Sequence, residues 1–247
     1  MVSYRIYIIY HKFLTLDAYK DLDRKYIQDH LQFVGVNGKI QKTIPTELAP
    51  YSFQERELPN FDPFMQANRF CESSVFFHVA RNEERLLAPY DFVGFLHYDM
   101  VINNKLFECI DSSVEDSEKI LFYHSKKKGF DHLDQAIGFH GWTHVIAIYN
   151  ALFGTNHALV EILQGDLPLY HSYMMHKTMF TRMMFFAHHS IPRIFEMLGY
   201  STEHLPYHIE RNHGIFLLLQ KLDGHLTKWI ELPGIHHKPE LKDPWQN

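Results

Sequence analysis

The sequence predicts an α/β sandwich with a largely parallel central sheet, and two observations support this fold class. Short runs of β-branched and aromatic residues alternate along the chain with longer segments whose apolar residues recur at helical spacing, as is typical of a parallel sheet covered by helices. Several apolar runs also end in polar residues, and in open sheets of this kind ligands bind outside the carboxyl ends of the strands. No linker or repeat divides the chain, so we predict a single domain over residues 1–247.

Three strands are predicted in the first part of the chain, with helices between them. Residues 5–10 (RIYIIY) are β-branched and aromatic, residues 31–36 (LQFVGV) end at an Asn-Gly turn, and residues 92–96 (FVGFL) form a continuous apolar run. A continuous run is typical of a central strand that is buried on both faces. A charged stretch at residues 17–29 indicates a surface helix, and helical spacing predicts an amphipathic helix over residues 68–84.

The rest of the chain holds an irregular stretch, long helices and further strands. Residues 43–64 contain four prolines, so this stretch is predicted to be a long excursion without regular structure. The three lysines at 126–128 are typical of a solvated turn. Helical periodicity predicts helices over residues 142–153, 177–198 and 209–222. The remaining predicted strands are residues 119–123, 171–176 and 226–232.

Composition and charge exclude several classes of protein. Lys and Arg total 24 against 29 Asp and Glu, and a net charge of −5 argues against binding nucleic acid through its phosphates. Cys71 and Cys109 provide no disulfide framework, so a reducing compartment is the default. Charges interrupt the apolar start of the chain, and no apolar run approaches the roughly 18–20 residues of a membrane span. We therefore expect a cytoplasmic protein without a signal peptide or transmembrane segment.

The most informative segment is YDFVGFLHYDMV at residues 90–101, in which a buried strand ends in polar residues. Asp99 lies at the tip of this strand, and His97, two residues earlier, lies on the same face of the extended chain. A carboxylate at this position can hold a divalent cation, which neutralises the charge that develops on a leaving diphosphate. The alternative is that Asp99 only begins a turn, because two asparagines follow at residues 103–104.

Six segments of the chain resemble a family of capsular-polysaccharide and lipopolysaccharide glycosyltransferases, the domain of unknown function 4422. The segments occur in the family's order, and they are IYIIYHK (6–12), FVGVNGK (33–39), NRFCESSVFFHVARN (68–82), FVGFLHYD (92–99), SYMMHK (172–177) and ERNHGIF (210–216). The resemblance implies a GT-A-like fold and a hexosyl- or pentosyltransferase of polysaccharide biosynthesis. Such an enzyme moves a sugar from a nucleotide-sugar donor to a hydroxyl of a glycan or glycoconjugate acceptor.

The chain departs from the family pattern at the strand tip. Asp99 and Met100 stand where the family has two arginines, and Ser172 stands where it has asparagine. Arginines neutralise a diphosphate directly, whereas an aspartate does so only by holding a metal ion. We therefore predict that the protein depends on Mn²⁺ or Mg²⁺, with Asp99 as a ligand and with His236 and His237 from the late segment completing the metal site.

The predicted donor-binding residues lie on several segments. Tyr10, His11 and Lys12 follow the first strand and can stack on or hydrogen-bond a nucleotide base, although a polar strand exit is the alternative. Asn68 and Glu72 lie about one helical turn apart and can face the ribose, or they form a helix cap or a solvated pair. The full predicted set is Tyr10, His11, Lys12, Asn68, Glu72, His97, Ser172 and Arg211.

Two carboxylates are candidates for the general base. Glu210 is the first choice because it lies in an otherwise apolar helix, and an inverting transfer needs a carboxylate to take the proton from the acceptor hydroxyl. The alternative for Glu210 is structural ion pairing together with Arg211. Asp134, on a predicted loop, is the second choice for the base.

Two other functions stay open at this point. A metal-dependent hydrolase would use the abundant His and Asp residues, but His132, His140 and His144 match no known metal-site spacing. A non-catalytic protein that binds nucleotide sugars or glycans would keep the fold without the base. Nucleotide-sugar binding without turnover distinguishes this last function from a transferase.

Overall fold

The strands form one large sheet and one small ribbon in the computed structural model, which describes residues 2–38, 43–114, 117–134 and 136–235. In chain order the strands are β1 (Tyr4–Tyr10), β2 (Leu31–Gly35), β3 (Ser52–Gln54), β4 (Phe92–His97), β5 (Ile120–Tyr123), β6 (Lys126–Lys128), β7 (Asp166–Pro168), β8 (Tyr173–His176) and β9 (Lys228–Glu231). The large sheet has the order β3-β2-β1-β4-β8-β5-β9, and β6 pairs with β7.

The large sheet is mostly parallel, which confirms the predicted fold class. β1 pairs in parallel with β2 and β4, β2 with β3, and β5 with β9. β8 is the exception, since it lies antiparallel between β4 and β5. Because β8 runs the other way, its first residues lie at the same edge of the sheet as the last residues of β1 and β4. Polar residues from all three strands can therefore meet at that edge.

Helices cover the sheet and confirm the main helical predictions. They are α1 (Arg24–His30), α2 (Pro63–Ala67), α3 (Ser73–Arg81), α4 (Glu83–Leu86), α5 (Asn104–Ser113), α6 (Gly138–Phe153), α7 (Leu159–Gln164), α8 (Lys177–Met197) and α9 (Leu205–Leu222). The helix predicted over residues 68–84 is divided between α3 and α4, and the one over 17–29 is reduced to a 3₁₀ turn and α1. Within the described ranges, none of the helices combines the length and apolarity needed to cross a bilayer.

Residues 43–64 are not the irregular excursion that their prolines suggest. They include two 3₁₀ helices, the edge strand β3 and the start of α2. Pro50 lies in the first turn of a 3₁₀ helix and Pro63 begins α2. At these positions the N–H that proline lacks would have no partner within the helix, so the prolines start regular structure here and do not prevent it.

Two further segments differ from the sequence-based expectations. Lys126–Lys128 form strand β6 and not a turn, and Asp166 of β7 lies 2.8 Å from the Nζ of Lys128. Helix α5 follows Asn103, whose side chain accepts a hydrogen bond from the Lys105 N–H and caps the helix. The asparagines that suggested a turn therefore start a helix.

Hydrophobic cores lie on both faces of the large sheet. Along β1, Tyr7 and Ile9 pack into one core, while Ile6, Ile8 and Tyr10 pack into the other, as the alternation of side chains along a strand requires. Buried residues of α3, α6, α8 and α9 belong to the first core, and those of α5 belong to the second. The result is an α/β/α sandwich in which α9 is buried along most of its length.

A polar network fixes the C-terminal end of α9 to the segment between α6 and α7. The Nε2 of His157 lies 2.7 Å from Asp223, and its Nδ1 lies 3.4 Å from Glu161. The Tyr149 hydroxyl also donates a hydrogen bond to Asp223. Burial lowers the pKa of His157, but the hydrogen bonds to the two carboxylates outweigh burial and raise the pKa above its ordinary value.

Candidate functional site

A cavity of about 620 Å³ opens at the edge of the sheet where β1 and β4 end. Its lining comes from the residue after β1, the residues before α3, the turn after β4, the loop before β8 and the first half of α9. This is the edge at which open α/β sheets bind ligands. Six of the predicted site residues line the cavity, namely His11, Glu72, His97, Asp99, Glu210 and Arg211.

A hydrogen-bonded pair of His11 and Glu72 forms one wall of the cavity. The Nδ1 of His11 lies 2.9 Å from Oε1 of Glu72, and the side chains are 29% and 19% exposed. Burial raises the pKa of Glu72, but the hydrogen bond with His11, followed by the charges of His97 and His11, outweighs burial and lowers the pKa to about 2. Glu72 is therefore an anion at neutral pH, and it orients the His11 ring, which also packs edge-on against Tyr98.

The end of β4 and the turn after it hold His97 and Asp99 in the cavity wall, where both are half-buried. The residues around them fix this turn. The N–H of Tyr98 donates to the carbonyl of Ile9 at 3.1 Å, and the side chain of Met100 is buried in the core. Asp99 is thus held by a rigid backbone at the edge of the sheet, and not on open surface.

Of the three predicted metal ligands, only Asp99 belongs to the part of the chain that the structure describes. Within it, no group of three or more His, Cys, Asp or Glu side chains is arranged to hold a metal ion. Asp99 as a single carboxylate fits Mg²⁺ or Mn²⁺, because these ions take their remaining ligands from water and phosphate oxygens. His236 and His237 lie outside the described residues. Ile235, the last described residue, exchanges backbone hydrogen bonds of 2.9 and 3.1 Å with Val101.

Helix α9 forms another wall of the cavity through Glu210 and Arg211. Glu210 is half-buried. The Nε of Arg211 donates to the carbonyl of His132 at 2.6 Å, and its Nη1 donates to the carbonyl of Tyr207 at 2.9 Å. These bonds tie the loop that carries His132 to α9. Arg211 therefore shapes the wall on which Glu210 lies.

Three of the predicted donor-binding residues near strand ends lie outside the cavity lining. Tyr10 shares the core-facing side of β1, is fully buried, and accepts a hydrogen bond from the Gln54 amide at 2.9 Å. Ser172 is fully buried, and its hydroxyl donates to the carbonyl of Tyr170 at 2.8 Å. Lys12 is half-buried and follows His11 without reaching the cavity. Strand alternation directs the side chain of Tyr10 into the core, and the bond to Tyr170 holds that of Ser172.

Two predicted residues on helices and loops also lie outside the lining. Asn68 is half-buried at the end of α2, where its side-chain amide donates to the carbonyl of Phe64 at 2.8 Å, as the helix-cap alternative expected. Asp134 is exposed. The histidines considered for a hydrolase do not converge either, since His140 and His144 pair with each other on α6 at 3.2 Å, away from the cavity.

Sequence reasoning missed cavity residues whose backbone lies in the left-handed region. Arg69, Cys71, Tyr170 and His171 have φ angles of 55, 50, 62 and 45°, and all four line the cavity. Side chains at positive φ are uncommon, and they cluster at functional sites because the surrounding structure must enforce them. None of the four is glycine, the residue that usually marks this conformation, so no pattern in the sequence could have found them.

Comparison with solved structures assigns the fold. No family model matches the chain, and no curated protein matches it. The chain is similar to the WbbM bifunctional glycosyltransferase in its apo form, with a TM-score of 0.63 and 17% identity over 95% of this chain and 45% of that chain. It therefore spans less than half the length of WbbM. The chain has a GT-A-type α/β fold.

Two other glycosyltransferases show lower structural similarity. Mouse xyloside xylosyltransferase 1 in its apo form has a TM-score of 0.40 and 11% identity, over 94% of this chain and 85% of that chain. The mannosyltransferase Ktr4p from S. cerevisiae has a TM-score of 0.41 and 10% identity, over 94% of this chain and 70% of that chain. A shared fold does not determine the reaction, which must be argued from the cavity itself.

Proposed function

We propose that this protein is a glycosyltransferase that moves a sugar from a nucleotide-sugar donor to a hydroxyl of a glycan or glycoconjugate acceptor. The observation that carries the proposal is the composition of the cavity at the carboxyl edge of a GT-A-type sheet. A carboxylate at a strand tip, a histidine oriented by an anion, and a second carboxylate on α9 all line the same cavity. A transferase needs groups of this kind for the donor and for the acceptor.

The donor's nucleotide is proposed to bind on the wall formed by β1 and α3. His11 supplies a ring that can hydrogen-bond or stack, and Glu72 keeps this ring in one orientation at 2.9 Å. Holding the ring before the ligand arrives lowers the entropic cost of binding. His97, at the end of β4, is proposed to donate a hydrogen bond to the diphosphate.

A divalent ion, Mn²⁺ or Mg²⁺, is proposed to bind at Asp99. Such an ion, when bound, supplies positive charge that neutralises the diphosphate as it leaves. The paired backbones of Val101 and Ile235 support a contribution from the late histidines, because Ile235 is followed directly by His236 and His237. Asp99 with one of these imidazoles would give the mixed oxygen and nitrogen ligand set that manganese accepts.

Glu210 is proposed to act as the general base. Its carboxylate takes the proton from the acceptor hydroxyl while the hydroxyl oxygen forms a bond to the anomeric carbon of the sugar. The bond between the anomeric carbon and the diphosphate oxygen breaks, and its electron pair leaves with the nucleoside diphosphate. Arg211 contributes by fixing this part of α9 to the loop that carries His132.

The resemblance to the domain of unknown function 4422 extends this proposal to a hexosyl- or pentosyltransferase of polysaccharide biosynthesis. The segments that resemble the family lie mainly on β1, β2, β4, β8, α3 and α9. Residues from β4, from the turns and loops beside these strands, and from α9 line the cavity. This arrangement supports the family assignment, because the similar segments surround one site.

Release of nucleoside diphosphate from UDP-, GDP-, ADP-, CDP- and dTDP-sugars, measured with glycan acceptors and Mn²⁺, tests the proposed function. We expect turnover with at least one donor. Glu210→Gln should reduce turnover by about 10²- to 10⁴-fold, the usual contribution of a general base, while donor binding is retained. The matched control is Glu203→Gln, which changes an exposed carboxylate of the same cavity and should leave turnover within about tenfold of wild type.

Two results would contradict the proposal. The first is that none of the nucleoside diphosphates raises the melting temperature of the protein, because a ligand that binds only the native state must stabilise it. The second is full turnover in the Glu210→Gln variant, which would remove the proposed base. Donor binding without turnover in the wild-type protein would instead indicate a non-catalytic nucleotide-sugar-binding protein.

A further inference from the structure

His171 is a buried residue in the lining of the cavity, and the proposed function gives it no role. It lies in the loop before β8, lines the cavity and is only 3% exposed. Its ring packs against Phe76 of α3 at 4.7 Å and against His213 of α9 at 5.3 Å between centroids. Phe76 and His213 also pack against each other at 5.2 Å, so the imidazole belongs to a cluster of three rings that joins two helices of the cavity wall.

The position of His171 carries two energetic costs that packing does not explain. Its Nε2 is buried without a hydrogen-bond partner among the described residues, and a buried polar atom in this condition destabilises the folded protein. Its backbone has a φ of 45°, next to Tyr170 at 62°. Unsatisfied polar atoms and enforced backbone strain occur together at ligand sites, where the ligand provides the missing partner.

The protonation state of His171 indicates what kind of group it binds. Burial, followed by the charges of His213 and His97, keeps the pKa of His171 well below its ordinary value. The ring is therefore neutral at physiological pH, with one N–H donor and one acceptor nitrogen. A phosphate offers only acceptors and favours a cation, whereas a hydroxyl both donates and accepts. A neutral imidazole thus suits a sugar hydroxyl better than a phosphate.

His171 contacts the two elements to which the proposed function assigns the donor and the base. Phe76 follows Glu72 by one helical turn, and His213 follows Glu210 by three residues on α9. His171 therefore contacts both the element proposed for the donor and the element proposed for the base. During transfer the sugar is bonded first to one substrate and then to the other, so it must occupy the space between these elements.

We propose that the imidazole of His171 hydrogen-bonds a hydroxyl of the transferred sugar and so selects the sugar of the donor. This inference rests on the proposed function. It assigns to His171 a part in sugar recognition that is separate from nucleotide binding and from proton transfer. Its loss should therefore weaken binding of the nucleotide sugar without weakening binding of the nucleoside diphosphate alone.

Calorimetric titration of each nucleoside diphosphate and its hexose conjugate, with Mn²⁺, tests this assignment in wild type and two variants. His171→Phe keeps a ring and removes both nitrogens. In His171→Gly, the glycine adopts the positive φ of this position without strain. This variant can be compared with wild type if His171→Phe does not fold. We expect the Kd of the nucleotide sugar to rise by about 3- to 10-fold, as for loss of one neutral hydrogen bond, and the Kd of the diphosphate to change by less than about 2-fold.

His208→Phe is the matched control, because it removes another buried imidazole of α9, which does not line the cavity. This variant should leave both dissociation constants unchanged. Equal loss for diphosphate and nucleotide sugar in the His171 variants, no loss for either ligand, or the same selective loss in His208→Phe would overturn the role of His171 while leaving donor binding in place. If the wild-type protein bound no diphosphate and no conjugate, the proposed function would fail, and this inference with it.

Discussion

Replacing Glu72 by glutamine tests the pair that it forms with His11 in the cavity wall. The substitution keeps the size of the side chain and removes its charge. The pKa of Glu72 falls from its ordinary 4.5 to about 2, and each pKa unit corresponds to about 1.4 kcal/mol. The upper bound on the stabilisation of the ionised form is therefore about 3 kcal/mol. Since Glu72 and His11 are 19% and 29% exposed, solvent screening reduces this value, and we expect about 1–3 kcal/mol.

The pH dependence of this effect has a definite direction. Because the pKa of Glu72 is lower in the folded protein, its contribution is fully present above about pH 4.5 and is lost as the pH falls towards about 2. Urea unfolding of wild type and Glu72→Gln between about pH 7 and about pH 3 measures this difference. We expect the variant to be less stable at neutral pH and the gap in unfolding free energy to narrow with acid.

The matched control is Glu84→Gln, which changes an exposed carboxylate on α4. Surface substitutions of this kind usually alter stability by less than about 0.5 kcal/mol, so we expect a small gap at every pH. If Glu72→Gln differed from wild type by the same amount at about pH 7 and about pH 3, the ionised carboxylate would not stabilise this wall, and the reasoning would be wrong.

Two further effects on stability follow from histidines that lie outside the cavity. The Nδ1 of His78 lies 3.2 Å from Glu55, and the two side chains are 1% and 4% exposed. Because His78→Leu leaves the Glu55 carboxylate buried without this partner, we expect it to lower the unfolding free energy, measured in urea, by about 3–5 kcal/mol. Adding Glu55→Met should restore part of this free energy. His157 should stabilise the protein by about 1.5–3 kcal/mol through its bonds to Asp223 and Glu161. This stabilisation should be complete below about pH 6.5 and lost as the pH rises through the raised pKa of His157. The melting temperature of His157→Gln should lack this pH dependence.

Most of the sheet and the long helices could be predicted from the sequence because their signals are local. β4 is buried on both faces, and its sequence is an almost unbroken apolar run. In α9 the apolar residues recur at helical spacing over many residues. The short elements of residues 43–64 could not be predicted, since β3 is only three residues long and depends on pairing with β2. The polar residues that follow the apolar run of β4, His97 and Asp99, line the cavity at that edge of the sheet.

The candidate site could be predicted only in part, because side-chain direction and loop packing are set by tertiary structure. His11 and Glu72 are sixty-one residues apart in sequence and meet through the packing of α3 on β1. Tyr10 is adjacent to His11 but faces the core, since alternate strand residues point to opposite sides. His171 gave no signal, because its burial and backbone conformation come from α3 and α9 packing around it.

The most direct test of the proposed chemistry is the binding of nucleoside diphosphate to wild-type and Asp99→Asn protein, measured by calorimetry with Mn²⁺ and with EDTA. We expect Mn²⁺ to strengthen binding to wild type by at least about tenfold, equivalent to about 1.4 kcal/mol. The asparagine variant should lose this enhancement while unfolding at a temperature close to that of wild type. Equal enhancement by Mn²⁺ in both proteins would contradict the role of Asp99 as the residue that anchors the cation.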